Sequence, residues 1–224
     1  MSVRHPAKYT DCLLPIFAEW LRGRERVLDP FAGTGKLRQV RPDAYLIEIE
    51  PEWAAIGGAI VGDALRLPFS SGVFDAICTS PTYGNRMADS FTDHQTAKNY
   101  RRNTYTHAIG RKLHPNNSGQ MQWGKAYQDF HRCAWGECWR VLRPGGVMVL
   151  NISDHIRNGK VIDVTAWHVR ELTGMGFEYV KSVFVETPRQ RFGANGDKRV
   201  PGESVILFRK PTLWDAASGA TRGR

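Results

Sequence analysis

The sequence predicts an α/β chain built on a seven-stranded, mostly parallel sheet with helices on both faces. Three observations carry this. Short apolar runs recur along the 224 residues and alternate with segments of helical periodicity. Several of those runs stop at an acid or a Gly-rich turn, as strands do where a doubly wound sheet presents its carboxyl ends. The last two runs lie close enough in sequence to pair antiparallel.

The elements follow in order. Leu13, Leu14, Ile16, Phe17 and Trp20 form an apolar stripe that predicts a helix beginning near Thr10 or Asp11. Strands are expected at Val27-Leu28-Asp29, Ala44 to Glu50, Ile60 to Leu65 and Phe74 to Thr79. Residues 126–142 predict a helix with Phe130, Ala134, Cys138 and Val141 on one side and Trp135 and Trp139 adjoining it. Val147 to Ile152 predicts the fifth strand, Val164 to Leu172 its helix, and Thr173-Gly174-Met175-Gly176 the stop. Tyr179 to Glu186 and Ser204 to Phe208 supply the last two strands. The expected organisation is one domain over 1–210, with a basic insertion at about 84–125 and a flexible tail over 211–224.

Composition bounds the function classes. A chain that is 42% hydrophobic can bury one sizeable core. No apolar stretch approaches the roughly 20 residues that span a bilayer, and the start, Met1 to Pro6, lacks the apolar core of a secretory signal. Cys12, Cys78, Cys133 and Cys138 show no paired framework, so a cytoplasmic location is expected. His131, Cys133 and Cys138 fall on one helix, where the 131/133 offset points the side chains apart, and no metal is expected. The net charge is +9 and the pI about 9.6, a surplus that draws polyanions.

The run ending at Asp29 breaks into Pro30-Phe31-Ala32-Gly33-Thr34-Gly35-Lys36, where glycines let the backbone turn tightly and approach a ligand. A phosphate-cradling P-loop would need Gly where Pro30 stands and Ser or Thr where Leu37 stands. A dinucleotide fingerprint would need a small residue at Arg38, and an acid such as Asp29 suits a pyrophosphate poorly. S-adenosylmethionine fits better, because it carries a sulfonium and an ammonium that a strand-end carboxylate suits. Downstream, the run from Ala44 ends in the acids Glu48 and Glu50, one of which can accept both ribose hydroxyls, and Asp63 can take the adenine amino group. Ser80-Pro81-Thr82-Tyr83 closes the fourth strand. By itself the tetrapeptide is ordinary turn chemistry, yet a Ser hydroxyl and a Pro81 carbonyl can pull on the N–H groups of an amine, with a Tyr ring beneath a base.

On Asp29-Pro30-Phe31-Ala32-Gly33-Thr34-Gly35, Glu48-Ile49-Glu50-Pro51, Gly62-Asp63-Ala64, Ser80-Pro81-Thr82-Tyr83 and Arg140-Val141-Leu142-Arg143-Pro144-Gly145-Gly146, the chain resembles class I S-adenosylmethionine-dependent methyltransferases of the DNA amino-methylase group, a Rossmann-like fold. The resemblance covers most of residues 5–210. It implies a cofactor site formed by Tyr9, Thr10, Asp29, Phe31, Ala32, Gly33, Thr34, Gly35, Glu48, Ile49, Asp63 and Ala64. It also implies catalysis by Ser80, Pro81, Thr82 and Tyr83 on an exocyclic amine of a DNA base, with Ser80 resembling cytosine-N4 enzymes more than adenine-N6 ones. The family's second Pro is replaced by Thr82, which removes a φ constraint and adds a hydroxyl. An RNA amino-methyltransferase would share these loops, and a decayed cofactor- or nucleic-acid-binding protein is the non-enzymatic alternative.

Two basic loops direct the substrate class toward nucleic acid. The segment from Tyr83 to the helix at 126 is polar with no obvious buried face, and mixes Arg86, Arg101, Arg102, Arg111 and Lys112 with Tyr100, Tyr105, His107 and Trp123. The second loop carries Arg189, Arg191, Lys198 and Arg199 between the last two strands. It leaves the same edge as Tyr83 if the sixth strand runs parallel to the first five.

Overall fold

The computed structural model describes His5 and residues 9–84, 104–188 and 199–212. Within them a seven-stranded sheet forms from β1 (Val27–Asp29), β2 (Tyr45–Glu48), β3 (Ile60–Val61), β4 (Phe74–Thr79), β5 (Leu142–Ile152), β8 (Glu178–Glu186) and β9 (Gly202–Arg209). Their order is β3-β2-β1-β4-β5-β9-β8. The five from β1 to β5 are parallel. β9 runs antiparallel to both neighbours, which makes β8 parallel to β5.

Alternation sorts the central strands into two cores. Leu28, Ile77, Met148, Leu150, Ile206 and Phe208 face α4 (Lys125–Val141) and α5 (Val164–Gly174). Val27, Ala76, Cys78, Val147, Val149 and Val205 face α1 (Leu14–Trp20) through Leu14 and Phe17. Strands buried on both faces read as near-continuous apolar runs, as Ala76 to Cys78 of β4 and Val147 to Leu150 of β5 do in the sequence. α4 places Tyr127, Phe130, Ala134, Cys138 and Val141 on its buried side at spacings of three and four. α2 (Pro51–Gly57) has Pro51 in its first turn and ends at Gly58 in the left-handed region, and Asp163 caps α5 by accepting from the Ala166 amide.

Three features depart from expectation. β5 begins at Leu142, because Pro144-Gly145-Gly146 continues the strand instead of ending the preceding turn. A small hairpin, β6 (His155–Arg157) and β7 (Lys160–Ile162), follows β5. It turns through Asn158 and Gly159, both at positive φ, a two-residue turn that matches strand twist. Most consequential, the insertion does have a buried face. α3 (Tyr105–Ile109) and the stretch after it bury Tyr105, Ile109 and Leu113 against Trp53 of α2, and a 3₁₀ turn follows at Ser118–Gln120. Thr104 caps α3 through the His107 amide. The tail beyond residue 212 lies outside the described residues, and no described helix is long and apolar enough to cross a membrane.

This topology puts β1 beside β4 where the strand order reverses. The crevice outside their carboxyl ends is where open α/β sheets take ligands.

Candidate active site

The loop after β1 and the loop after β4 open into one cavity of about 330 Å³. Tyr9, Thr10, Phe31, Ala32, Gly33, Thr34, Glu48, Ile49, Asp63 and Ala64 line it, together with Ser80, Pro81, Thr82 and Tyr83. Gly33 and Gly35 both hold φ in the left-handed region, at 54° and 74°. A Cβ on Gly35 would stand 2.8 Å from the Gly57 backbone, so this glycine seats the loop on the end of α2 and contributes no cavity surface. A Cβ on Gly33 would meet the His5 imidazole at 3.3 Å, on the cavity side.

Asp29 departs from its expected role. Its carboxylate is fully buried and accepts hydrogen bonds from Tyr9 (2.8 Å), Thr79 (2.7 Å) and the Phe31 amide (3.1 Å). It therefore braces the strand ends and the Gly-rich loop from behind and does not line the cavity. Burial pushes its carboxyl up to about 6 against the pull of these three donors. Glu48 is the acid that faces the loop. Its Oε2 accepts from the Gly33 amide at 2.9 Å and its Oε1 from the Glu50 amide at 2.9 Å. Burial raises it to about 7, with the neighbouring Glu50 charge adding to the rise.

Glu50 turns the other way and holds the insertion. Its Oε1 accepts from the His114 amide (2.7 Å) and from Asn117 Nδ2 (2.8 Å). Arg111 Nη2 lies 2.7 Å from its Oε2, a charge contact without hydrogen-bond alignment. Arg111 also bonds Glu52 through Nε at 2.8 Å. Asn116 donates to Asp63 Oδ2 at 2.8 Å while the Leu65 amide takes Oδ1 at 2.9 Å. The folded part of the insertion thus closes over the Asp63 side of the cavity, and Arg111, expected on phosphates, is committed to carboxylates. Lys112 and Arg199 are exposed. Arg86, Arg101, Arg102, Arg189, Arg191 and Lys198 lie outside the described residues. Because β8 is parallel to β5, its end lies at the carboxyl edge, where Pro188 lines the cavity.

The Ser80–Tyr83 loop, expected to be catalytic, is wired by residues the sequence reading missed. Ser80 Oγ sits 2.9 Å from Tyr83 Oη, and Tyr83 donates to Glu203 Oε2 at 2.9 Å. Asn151, at the end of β5, reaches Glu203 at 2.7 Å, Tyr83 at 3.0 Å and Ser80 at 3.2 Å through Nδ2. A polar residue inside the apolar run Val147 to Ile152 was the available signal for Asn151. Glu203 stands on the antiparallel strand, 120 residues from Tyr83, with no local signature. Thr82 spends its added hydroxyl on the insertion, 2.9 Å from Ser118 Oγ and 3.1 Å from the Ser118 carbonyl. Its own carbonyl accepts from Tyr127 Oη at 2.6 Å. Trp135 Nε1 donates to His168 Nδ1 at 3.1 Å, so His168 carries its proton on Nε2 and donates to Tyr127, 2.9 Å away. Burial holds His168 well below the usual histidine range, hence neutral.

His131 is buried and Cys133 is exposed on the same helix. Among the described residues no group of His, Cys, Asp and Glu could hold a metal ion.

No protein-family model matches the sequence, and no characterised protein matches it at the sequence level. Solved structures do resemble it. A SAM-dependent methyltransferase from Methanosarcina mazei superposes with a TM-score of 0.57 at 14% identity, over 88% of this chain and 98% of that one. The N-methyltransferase NodS from Bradyrhizobium japonicum, in complex with S-adenosyl-L-homocysteine, gives 0.52 at 14%, over 89% and 85%. The [4+2]-cyclase SpnF gives 0.55 at 18%, over 90% and 82%. The last shows that this architecture also serves chemistry of another kind, so the reaction must be argued from the site. The chain has the Rossmann-like fold of the class I methyltransferases.

Proposed function

We propose that the protein transfers the methyl group of S-adenosylmethionine to an exocyclic amino group of a DNA base, cytosine-N4 before adenine-N6. The observation that carries this reading is the convergence of the Gly33 loop, Glu48 and Ser80-Pro81-Thr82-Tyr83 on one cavity. Its volume is within the range of small-molecule and cofactor sites. The donor set suits the cofactor: the Glu48 carboxylate matches a ribose diol, Asp63 and Asn116 match an adenine edge, and Gly33, at a positive φ, lets the loop turn beside the cavity with no side chain of its own. When bound, this group supplies a methyl carbon already activated by a sulfonium.

The chain's contribution is positioning and charge matching. Ser80 Oγ and the Pro81 carbonyl accept the N–H groups of the target amine and orient its lone pair. The Tyr83 ring lies under the base with its hydroxyl tethered to Glu203. Thr82 is held on both its hydroxyl and its carbonyl, so the departure from the family tetrapeptide is an anchored loop and favours an enzyme over a decayed relative.

A nucleic-acid substrate is supported by the net charge of +9 and by the basic residues Arg189, Arg191, Lys198 and Arg199, which follow in sequence from β8, whose end lies at the site's edge. Mass spectrometry of nucleosides from cells expressing the protein tests the reading. N4-methylcytosine or N6-methyladenine in DNA, lost in Ser80→Ala, is the expected result. Methylated amines in RNA alone would move the substrate to RNA, and no new methylated nucleoside would remove nucleic acid as substrate.

A further inference from the structure

Methyl transfer to a neutral amine must dispose of a proton, and an amine attached to a base ring becomes strongly acidic as it is alkylated. Among the described residues, the hydrogen bonds around the catalytic loop have one direction. Tyr83 has a single hydroxyl proton and gives it to Glu203 Oε2. Ser80 must then donate to Tyr83, across 2.9 Å. Asn151 Nδ2 has two protons for three oxygens and leans on Glu203 and Tyr83, leaving its longest contact, 3.2 Å, to Ser80. Ser80 Oγ consequently keeps acceptor capacity on the cavity side and a proton already pointing away from it. Ser80, Tyr83 and Glu203 all line the cavity, and Glu203 is otherwise 7% exposed.

We infer that Glu203 is the terminal proton acceptor of the reaction, reached from the target amine through Ser80 and Tyr83. The inference rests on the methyl-transfer reading above. As the N–C bond forms and the C–S bond breaks, the amine proton passes to Ser80 Oγ, the Ser80 proton to Tyr83 Oη, and the Tyr83 proton to Glu203 Oε2. One sulfonium and one carboxylate become a neutral thioether and a neutral acid. Separated charges in a partly closed site are thereby removed, which favours the forward direction. Asn151 is a positioning residue that keeps the three oxygens in line.

The test combines single-turnover transfer of tritiated methyl from S-adenosylmethionine to unmethylated plasmid DNA and to total RNA with a measurement on the cofactor-free protein. Glu203→Gln keeps an oxygen for the Tyr83 bond but cannot take the proton, and should slow transfer by about 100-fold. Cofactor affinity by calorimetry should stay within about twofold. Tyr83→Phe keeps the ring and cuts the chain. It should slow transfer comparably, and the double variant should lose little more than either single one. Formate should restore activity to Glu203→Ala and not to Glu203→Gln. In the cofactor-free protein, the tyrosinate absorbance assigned to the residue by Tyr83→Phe should appear at lower pH in Glu203→Gln, since an adjacent negative charge has gone. An unmoved tyrosinate transition, strictly multiplicative rate losses, or full activity in Glu203→Gln would each overturn the relay while leaving methyl transfer intact. Absence of label transfer by the wild-type protein to either nucleic acid would overturn the methyl-transfer reading and the relay with it.

Discussion

The two halves of the cavity are built by different means. The half proposed for the cofactor is assembled mainly at strand ends: the Gly-rich loop after β1, Glu48 at the end of β2 and Asp63 just after β3, with Asn116 of the insertion on Asp63. The half proposed for catalysis is assembled across the chain. Ser80 and Tyr83 depend on Asn151 and Glu203, Thr82 on Ser118 and Tyr127, and Tyr127 in turn on His168 and Trp135. A site made of backbone amides and strand-end acids tolerates drift elsewhere in the fold. A site made of side chains brought from five elements fails when any one of them is removed, and it can be tuned by each.

The sharpest way to break the comparison is at Gly35. Gly35→Val places a side chain at φ 74° and against the Gly57 backbone at 2.8 Å. A left-handed conformation costs about 1–2 kcal/mol and overpacking about 1–3 kcal/mol more. Chemical unfolding should register the sum, and S-adenosylmethionine binding should vanish although Gly35 does not line the cavity. Binding at wild-type affinity would show that the loop's seat on α2 is dispensable.

Next in size is Glu48→Gln. Removing a charge-assisted hydrogen bond to the ribose should weaken cofactor binding by about 1.5–3 kcal/mol, read by calorimetry. The wild-type acid titrates near 7. Its folded value is raised, and the cofactor prefers the ionised form, so affinity should climb between pH 6 and pH 8 and level off above. In Glu48→Gln that climb should be missing. An identical pH dependence in both proteins would place the ribose elsewhere. Asp29→Asn sharpens the contrast between the two acids. It should lower stability by about 1–3 kcal/mol, as Tyr9 and Thr79 are deprived of a buried charged acceptor, and weaken the cofactor less than Glu48→Gln does.

In the catalytic half, Thr82→Val removes the hydroxyl bonded to Ser118 and keeps the shape. A cost near 1 kcal/mol is expected, with faster amide hydrogen exchange over 104–121 and unchanged cofactor affinity. Thr82→Pro, which restores the family tetrapeptide, should loosen the same segment, because the insertion here is docked by the residue the family lacks. Unaltered exchange in both variants would detach the insertion from the catalytic loop.

The smallest effects concern the two basic regions. Replacing Arg189, Arg191, Lys198 and Arg199 by Ala should flatten the salt dependence of duplex DNA binding by about 0.9 in log–log slope for each phosphate that is no longer neutralised. Arg111→Ala should leave that slope unchanged and instead speed hydrogen exchange around His114 and Asn117, since its partners are Glu50 and Glu52. A slope change in Arg111→Ala would return this residue to the nucleic-acid surface.

By itself the sequence determined whatever depends on local period and local chemistry. Apolar runs sufficed for the seven strands and for α1, α4 and α5, because a central strand is apolar on both faces and an amphipathic helix must repeat every three to four residues. By contrast α2 and α3, seven and five residues long, were not anticipated. The turn through Gly33 and Gly35 and the positions of Glu48, Asp63 and Ser80 were legible for the same reason, since each lies within a few residues of a strand end, although Gly35 seats the loop on α2 and does not line the cavity as expected. The Asn158-Gly159 hairpin was legible too and went unread. Tertiary structure alone decided how similar residues divide their labour. Asp29 and Glu48 are both acids at strand ends, yet one is sealed behind the loop and the other faces it, because a neighbouring Tyr9 and Thr79 claim the first. Arg111 looks like its basic neighbours in sequence and is neutralised only because α2 brings Glu50 and Glu52 beside it. Glu203 reaches the Ser80–Tyr83 loop only when β9 inserts antiparallel between β5 and β8, a pairing of residues far apart in the chain that no local pattern encodes.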